Sequence, residues 1–365
     1  MPSVSNKVII ACAGAGKTTL LVDEALARPE EHVAIVTYTH NNVNEIKRRF
    51  ERRCGAVPRR VDVMTWHSFL LRECARPYQP YVYAKQRIET IHFPDGRSRT
   101  YPGHANTEEY FFQNGNQIYS DKISHFIIDC EEASGGLVTL RLDQVYDAIF
   151  VDEVQDIAGW DLEWCTHLLA SGIATTFVGD PRQCTYWTNN AAKNAQYRGL
   201  GFLKLVERWK KDGLCIQEDL EGNHRCNQVI CDAANRLYPS MSPMKSLSKS
   251  TTGHDGVFSV PRQALDAYMS EFQPHILRNN KNADSGGHPA INFGIAKGMQ
   301  CDRVLIVPTG PIEKYLKTGD PKQAGSIERL YVAMTRARYS VAFLYDDAAA
   351  VPLTPWRPAK ACSDQ

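Results

Sequence analysis

Residues 8–19 (VIIACAGAGKTT) constrain the fold of this chain more than any other stretch. The apolar run at residues 8–10 is typical of a strand buried on both faces of a parallel sheet. Small residues and glycines follow at residues 11–16, where backbone amides can approach a ligand closely. Lys17 and Thr18 then begin a predicted helix, whose N-terminus favours an anion. The pattern predicts a phosphate cradle, with Lys17 as a point charge and the Thr18 hydroxyl as a ligand to Mg²⁺.

A second apolar strand, predicted within residues 148–156 (AIFVDEVQD), ends in carboxylates. Asp152 at the carboxyl end of that strand can hold Mg²⁺, and Glu153 can polarise an attacking water. A further strand within residues 174–183 (ATTFVGDPRQ) ends in a polar turn, where Gln183 is placed to sense a phosphate. The order of cradle, acidic strand and polar turn indicates phosphate chemistry.

Composition narrows the class of protein. A length of 365 residues predicts two or three domains with full cores. The formal net charge is +1, so any surface for nucleic acid must be local. We find neither an apolar run long enough for a membrane span nor a signal-peptide pattern, and we expect no membrane partner. Eleven cysteines without a CxxC pair fit reduced thiols, which predicts a cytoplasmic location.

Residues 74–146 depart from the preceding pattern of apolar strands and are predicted to form an inserted subdomain. The turn residues at 93–96 (FPDG) are of the sort that close a β-hairpin. Aromatic residues recur in this stretch, where they can stack on bases or fill the core of a small subdomain, and we favour the core. The same two alternatives hold for Tyr186 and Trp187. The basic residues on the predicted helix after residue 39 can meet phosphates, but a solvated helix face is the commoner role of such a run.

Taken in order, the motifs resemble those of superfamily 1 DNA helicases of the UvrD, Rep and PcrA type across nearly the whole chain. After the cradle, the matching segments are 37–41 (TYTHN), 65–68 (TWHS), 152–156 (DEVQD), 179–183 (GDPRQ), 220–225 (LEGNHR), 297–298 (KG) and 330–337 (LYVAMTRA).

The resemblance implies an α/β fold with two RecA-like parallel-sheet domains of the P-loop NTPase type, a nucleotide between them, and a small insertion in the first. Residues 1–73 and 147–211 would form the first domain, with 74–146 as the inserted 1B-like subdomain. Residues 212–348 would form the second domain, and residues 349–365 a flexible tail. A short polar loop at 279–290 stands where larger relatives carry a regulatory 2B subdomain, so we expect a compact form that lacks it.

The resemblance also implies ATP and Mg²⁺ as cofactors and gives individual residues their expected roles. The catalytic residues would be Lys17, Glu153, Gln183, Arg225 at the γ-phosphate, and Arg336 as the arginine finger. The residues that bind the nucleotide would be Ala13, Gly14, Ala15, Gly16, Lys17, Thr18, Thr19, His224, Gly298 and Gln300. Thr18 and Asp152 would hold the metal. The DNA contacts would be Tyr38, Thr39, His40, Thr65, His67, Tyr186 and Trp187.

The activity implied is that of an ATP-dependent DNA helicase or single-strand translocase, moving 3′ to 5′ on single-stranded or tailed duplex DNA in DNA repair or antiphage defence. The alternative is a DNA-stimulated ATPase switch that regulates a partner nuclease without processive unwinding. The expected absence of the large subdomain leaves both readings open. A nucleotide fold without activity is disfavoured because the residues for the chemistry are all present.

The chain departs from the family pattern where the base would be read. Thr19 replaces an arginine and His224 replaces a tyrosine, and this pair normally sandwiches the base. Gln300 replaces a glutamate that meets the ribose, while Asn292 and Gly294 replace a threonine and a histidine. With only seven residues before the cradle strand, we expect the upstream glutamine motif that reads adenine to be missing. Phosphate chemistry is therefore complete in the sequence, whereas base recognition is not.

We predict relaxed nucleotide choice. Strong discrimination comes from buried hydrogen-bonding groups that the wrong ligand leaves unpaired, and few such groups remain here. GTP and dATP should support DNA-stimulated turnover within about tenfold of ATP, a difference of about 1.4 kcal/mol. Steady-state hydrolysis rates with each nucleotide and single-stranded DNA measure this. A preference for ATP over GTP of about a thousandfold would contradict the prediction and indicate another adenine pocket.

Overall fold

The computed structural model describes residues 6–358 and divides them into two compact units. The first comprises residues 6–11 and 17–219, and the second comprises residues 12–16 and 220–358. Each unit is built on a six-stranded parallel sheet with helices. The predicted fold class, two RecA-like α/β domains, is therefore confirmed.

The main sheet of the first unit has the strand order β3-β2-β6-β7-β1-β8, and β4 and β5 pair separately. The strands are β1 (Lys7–Ala11), β2 (Val33–Thr37), β3 (Val61–Thr65), β4 (Thr90–His92), β5 (Gln117–Tyr119), β6 (Ala148–Asp152), β7 (Ala174–Gly179) and β8 (Ile216–Leu220). Every residue of β2 and β6 is buried, as expected for apolar strands covered on both faces. Parallel pairing of β1 with β7, and of β7 with β6, brings the ends of these strands to one edge.

Helices and other connecting segments link the strands of the first unit. They are α1 (Lys17–Leu26), α2 (His40–Cys54), α3 (Trp66–Phe69), α4 (Arg76–Tyr78), α5 (Thr107–Phe111), α6 (Ile123–Ser134), α7 (Leu137–Val145), α8 (Trp160–Ala170) and α9 (Phe202–Lys211). A π-helical stretch, Leu70–Ala75, joins α3 to α4. The buried face of α2 consists of Val43, Ile46 and Phe50, at the spacing of one helix stripe. Within the described range, every helix is too short or too polar to cross a bilayer.

The inserted stretch contains no hairpin at the predicted turn. β4 pairs in parallel with β5, and the chain between them includes α5. Parallel strands need a crossover, so the turn residues at 93–96 lead away from β4 and do not return the chain to it. The aromatic residues of this stretch that form a core, as favoured, are Tyr83, Phe111, Phe112 and Tyr119. α6 packs against the π-helical stretch and against α8, within the first unit.

The second unit has a main sheet of strand order β13-β12-β14-β15-β11-β16, and β9 and β10 form a separate pair. Its strands are β9 (Gly222–Asn223), β10 (Lys245–Ser246), β11 (Gly256–Val260), β12 (His275–Arg278), β13 (Ala290–Asn292), β14 (Cys301–Ile306), β15 (Ala337–Leu344) and β16 (Thr354–Pro355). Its helices are α10 (Gln228–Asn235), α11 (Leu265–Phe272), α12 (Gly310–Thr318) and α13 (Ile327–Met334).

Two segments differ from the predicted domain limits. β8 lies beside β1 in the first sheet, so the first unit continues to residue 219, past the predicted limit at residue 211. Part of the predicted flexible tail is ordered, because β16 pairs with β11 and the Trp356 amide donates to the carbonyl of Ser259 at 2.9 Å. The Trp356 ring packs on the core around Tyr268, and this apolar contact explains the order. Residues 1–5 and 359–365 of the predicted limits lie outside the described range.

Candidate nucleotide and nucleic-acid sites

The residues of the first unit that the sequence predicts to act on phosphates lie together at the carboxyl ends of its strands. α1 begins with Lys17 and Thr18, Asp152 is the last residue of β6, and residues 180–183 directly follow β7. In parallel α/β sheets, ligands bind at the carboxyl ends of the strands. The first unit therefore places a cation, a hydroxyl, carboxylates and an amide where the sequence predicts phosphate chemistry.

Glu153 has an unusual backbone conformation, with φ 59° and ψ 38° in the left-handed region. This region is sparsely populated by residues other than glycine and costs about 1–3 kcal/mol when surrounding contacts enforce it. The Glu153 amide donates to Asp152 Oδ1 at 2.9 Å, and the Gln155 amide group donates to the Glu153 carboxylate. The predicted catalytic carboxylate is thus held from both its backbone and its side chain.

Gln155 connects this carboxylate to the loop after β7. Its Oε1 accepts from the Asp180 amide at 2.9 Å, and Asp180 Oδ2 accepts from Gln183 Nε2 at 2.9 Å. Asp180 Oδ1 accepts from Arg182 Nε at 2.7 Å. All four side chains are buried, so their hydrogen bonds fix their positions. The sequence assigned a site role to Gln183 alone, although Gln155 and Asp180 lie in the quoted motifs.

The glycine loop, residues 12–16, packs within the second unit. Gly14 and Gly16 have φ of 69° and 82°, which explains the need for glycine at both positions. The Ala13 amide donates to the Tyr331 hydroxyl at 3.2 Å, and the Gly14 carbonyl accepts from the His224 amide at 2.9 Å. Tyr331 therefore holds one of the amides that the cradle would offer to a phosphate, a contact that the sequence did not predict.

Asn223 organises the segment that carries the predicted γ-phosphate arginine. Its Oδ1 accepts from the amides of Arg225 and Cys226 at 2.7 and 2.8 Å, and the residue is fully buried. A Cβ at Gly14 would lie 2.6 Å from the same oxygen, so the loop requires glycine there. Arg225 Nη1 donates to the Thr335 carbonyl at 2.9 Å. Burial lowers the pKa of the Arg225 guanidinium, which remains a cation at neutral pH.

Arg336, the predicted arginine finger, is buried in the second unit and 2% exposed. Its Nε donates to the Val332 carbonyl at 2.9 Å, and its Nη2 donates to Thr335 Oγ1 at 3.3 Å. The turn of backbone that ends α13 therefore fixes this guanidinium. Its action on a phosphate stays a prediction.

Two of the residues that depart from the family pattern form hydrogen bonds with arginine side chains. The Thr19 hydroxyl accepts from Arg49 Nη1 at 2.6 Å, and Gln300 Oε1 accepts from Arg338 Nη2 at 3.0 Å. His224, Gly298 and Gln300 are exposed. Thr19 and Gln300, which replace an arginine and a glutamate of the family pattern, are therefore engaged in hydrogen bonds within their own units.

Predicted DNA-contacting rings lie together in the first unit. The Tyr38 ring centroid is 5.8 Å from that of His67 and 5.3 Å from that of Tyr186. Phe93 extends the cluster, with its centroid 5.1 Å from that of His67, and is 62% exposed. We call Tyr38, His67, Phe93 and Tyr186 the aromatic cluster. Sequence reasoning missed Phe93, because its exposure beside the cluster depends on the inserted stretch.

The charges in and near the aromatic cluster favour stacking on bases. Burial lowers the pKa of His67 to about 4, so the imidazole is neutral at pH 7 and contributes a ring without a charge. Trp187, which is 43% exposed, has the Arg198 guanidinium 4.8 Å from its ring centroid. An aromatic face beside a cation suits a nucleic-acid strand.

The two predicted DNA-binding threonines cap helices. Thr39 Oγ1 accepts from the Asn42 amide at 3.1 Å, and Thr65 Oγ1 accepts from the Ser68 amide at 3.2 Å. His40 is the exposed first residue of α2. These contacts give both hydroxyls a structural role. Their contact with DNA, and that of His40, stays a prediction.

Comparisons with known proteins give a family match and distant structural similarities. A family model described as an AAA domain matches residues 3–189. Among proteins with curated descriptions, none matches this sequence. The PRRSV helicase structure is 18% identical with a TM-score of 0.44, covering 93% of this chain and 52% of that chain. Arterivirus nonstructural protein 10 (helicase) is 15% identical with a TM-score of 0.47, covering 94% and 60%.

The complex of Arterivirus nonstructural protein 10 (helicase) with DNA is 16% identical to this chain with a TM-score of 0.48. It covers 94% of this chain and 61% of that chain. The chain thus spans between 52% and 61% of the length of the solved helicases named here.

We predict that Gly179→Ala disturbs the Gln155 network. An added Cβ would lie 2.4 Å from Gln155 Oε1 and 2.9 Å from Val154 Cγ1, so the buried amide must shift. Overpacking of this kind should lower the free energy of unfolding by about 1–3 kcal/mol, measured by urea denaturation. Gly103→Ala is the matched control, because a Cβ there meets nothing within 4 Å. Equal stability of both variants and the parent protein would contradict the packing described.

Proposed function

We propose that this chain, which belongs to the AAA domain family, is an ATP-dependent DNA helicase or single-strand DNA translocase that moves 3′ to 5′. The observation that carries the proposal is the position of Glu153. A carboxylate held in a left-handed backbone conformation by a buried network is an arrangement found at functional sites.

The chemistry that we propose is hydrolysis of ATP with Mg²⁺. Thr18 and Asp152 hold the ion, and Lys17 binds the phosphates. Glu153 orients and polarises the attacking water, and Gln183 senses the γ-phosphate. The family resemblance assigns the charge that develops on the transferred phosphoryl group to Arg225 and Arg336.

The nucleic-acid partner that we propose is single-stranded DNA or a tailed duplex. The aromatic cluster supports this, since stacked rings bind bases of any sequence. One of the solved helicases similar to this chain is in complex with DNA. The net charge of +1 limits long-range attraction to the phosphates, so we expect stacking to provide much of the affinity.

The second candidate function is a DNA-stimulated ATPase switch that regulates a partner nuclease. The observation that favours it is that β12 and β13 pair directly and are joined by a short connection, residues 279–289, where larger relatives carry a regulatory subdomain. Both functions predict ATP hydrolysis on DNA, and only the helicase displaces a strand from a tailed duplex.

We expect Glu153→Gln to bind ATP yet to hydrolyse it at least about a hundredfold more slowly, because general-base catalysis contributes about 10²–10⁴. Arg336→Ala should lose about 10³–10⁵ in turnover if the guanidinium stabilises the transferred phosphoryl group. The assay measures hydrolysis with single-stranded DNA and, in parallel, strand displacement from duplexes with a 3′ or a 5′ tail.

Arg357→Ala, an exposed arginine in the same unit, is the matched control and should behave as the parent protein. Arg336→Lys keeps a buried cation and separates a folding defect from a catalytic one. Near-normal hydrolysis by a folded Arg336→Ala protein would contradict its catalytic role. Hydrolysis without displacement of either tailed duplex by the parent protein would favour the ATPase switch.

A separate prediction concerns Tyr186. If its ring stacks on a base, Tyr186→Ala should weaken binding to a fluorescent single strand by about 1–3 kcal/mol, whereas Tyr186→Phe should retain it. Tyr81→Ala is the control, because Tyr81 is 52% exposed and lies outside the cluster. Affinity should also fall as salt rises, since bound phosphates release counterions. A folded Tyr186→Ala protein with unchanged affinity would assign the ring to packing.

A further inference from the structure

Three side chains that could hold a metal ion meet in the first unit, outside the motifs for nucleotide and DNA. His125 and Asp129 are one turn apart on α6, a spacing that places both on the same helix face. His104 reaches them from the segment before α5. One ligand atom from each of the three residues lies within 4.8 Å of the others.

We propose that His104, His125 and Asp129 bind one divalent transition-metal ion of the zinc type. Two imidazoles and one carboxylate are a donor set that suits Zn²⁺, and three protein ligands leave a fourth position for water. The proposal goes beyond the proposed function, because none of these residues takes part in the chemistry or the DNA contacts described above.

The surroundings of His125 prepare it as a ligand. Its Nδ1 lies 3.2 Å from the Tyr110 hydroxyl, and its Nε2 faces Asp129, 3.8 Å from Oδ1. When Nδ1–H donates to the hydroxyl, the lone pair of Nε2 is available to a metal. The imidazole is stacked on Trp160, with ring centroids 3.6 Å apart and planes 5° apart, so it cannot turn away without losing that contact.

The two other ligands differ in their freedom to adjust. His104 Nε2 and Asp129 Oδ2 are 2.6 Å apart, a hydrogen-bond distance. Two ligands of one tetrahedral Zn²⁺ with bonds of about 2.0–2.1 Å lie about 3.3 Å apart, so the ion would replace this hydrogen bond and open the pair slightly. The His104 side chain is 52% exposed and outside a helix, whereas that of Asp129 is 17% exposed and fixed on α6. His104 therefore makes the adjustment.

Nearby charges set the expected strength of binding. Asp129 supplies the anion of the donor set, while Lys122 Nζ lies 3.7 Å from the Tyr110 ring centroid and Lys193 Nζ lies 4.9 Å from that of Trp160. Two ammonium groups close to the site oppose a dication. We therefore expect an affinity in the micromolar range, weaker than that of a structural thiolate site.

The test uses the purified full chain, treated with a chelator and titrated with Zn²⁺ against a chromophoric competitor. We expect one equivalent to bind and the melting temperature to rise with Zn²⁺. His104→Gln and Asp129→Asn should each weaken binding at least tenfold, and Tyr110→Phe by about 10–100-fold through the loss of its hydrogen bond to a ligand. His275→Gln, an exposed histidine of the second unit, is the matched control and should bind as the parent protein does.

Substitution with Co²⁺ separates this site from the cysteines of the chain. Cobalt bound to imidazole and carboxylate gives d–d bands without a thiolate charge-transfer band, and these bands should disappear in His104→Gln. Zn²⁺ binding that is equal in the parent protein and His104→Gln would overturn the proposal, as would a thiolate band that accounts for all bound cobalt. The assay needs neither nucleotide nor DNA, so its failure is distinct from failure of the proposed function.

Discussion

The hydrogen bond from the Asp180 amide to Gln155 Oε1 joins the loops that follow β6 and β7. Because these strands are neighbours in the sheet, one buried glutamine can reach both the Glu153 carboxylate and the backbone of the next loop. The close approach of Gln155 to the loop after β7 depends on Gly179, because a side chain there would collide with the side-chain amide of Gln155. The left-handed conformation of Glu153 costs about 1–3 kcal/mol, and the hydrogen bonds between these two loops keep it in place.

The proposed nucleic-acid surface depends on a different physical property. With a formal net charge of +1, the chain has little long-range field to attract a polyanion, and burial, which lowers the pKa of His67 to about 4, keeps that ring uncharged at pH 7. The rings of the aromatic cluster come from four separated parts of the chain, which are brought together by β2, α3, β4 and the loop after β7. Stacking on such a surface tolerates any base, which suits the translocase activity proposed above.

The sequence predicted the elements whose signal is local. Apolar runs gave the buried strands β1, β2 and β6, and the spacing of Val43, Ile46 and Phe50 gave the buried face of α2. Glycine spacing marked the loop whose positive φ angles require it. These properties depend on neighbours within one or two turns of chain.

The sequence did not predict features that depend on distant partners. Asn223, Gln155 and Tyr331 were not assigned roles, because their importance lies in hydrogen bonds that only the folded chain brings together. The pairing of β4 with β5 could not be read from turn residues, since a turn signal gives no register for a strand more than 20 residues away. The positions of β8 and β16 were missed for the same reason.

The short strand β16 has a consequence for how the protein behaves at high concentration. It occupies the outer side of β11, and Pro355 has no amide hydrogen to offer a further strand. Bare sheet edges are templates for pairing between chains, and native proteins blunt them with brief strands and prolines. Thr354 and Pro355, anchored by Trp356, thus protect this edge of the second sheet against pairing with another chain. A chain that ended before Thr354 would lack this protection.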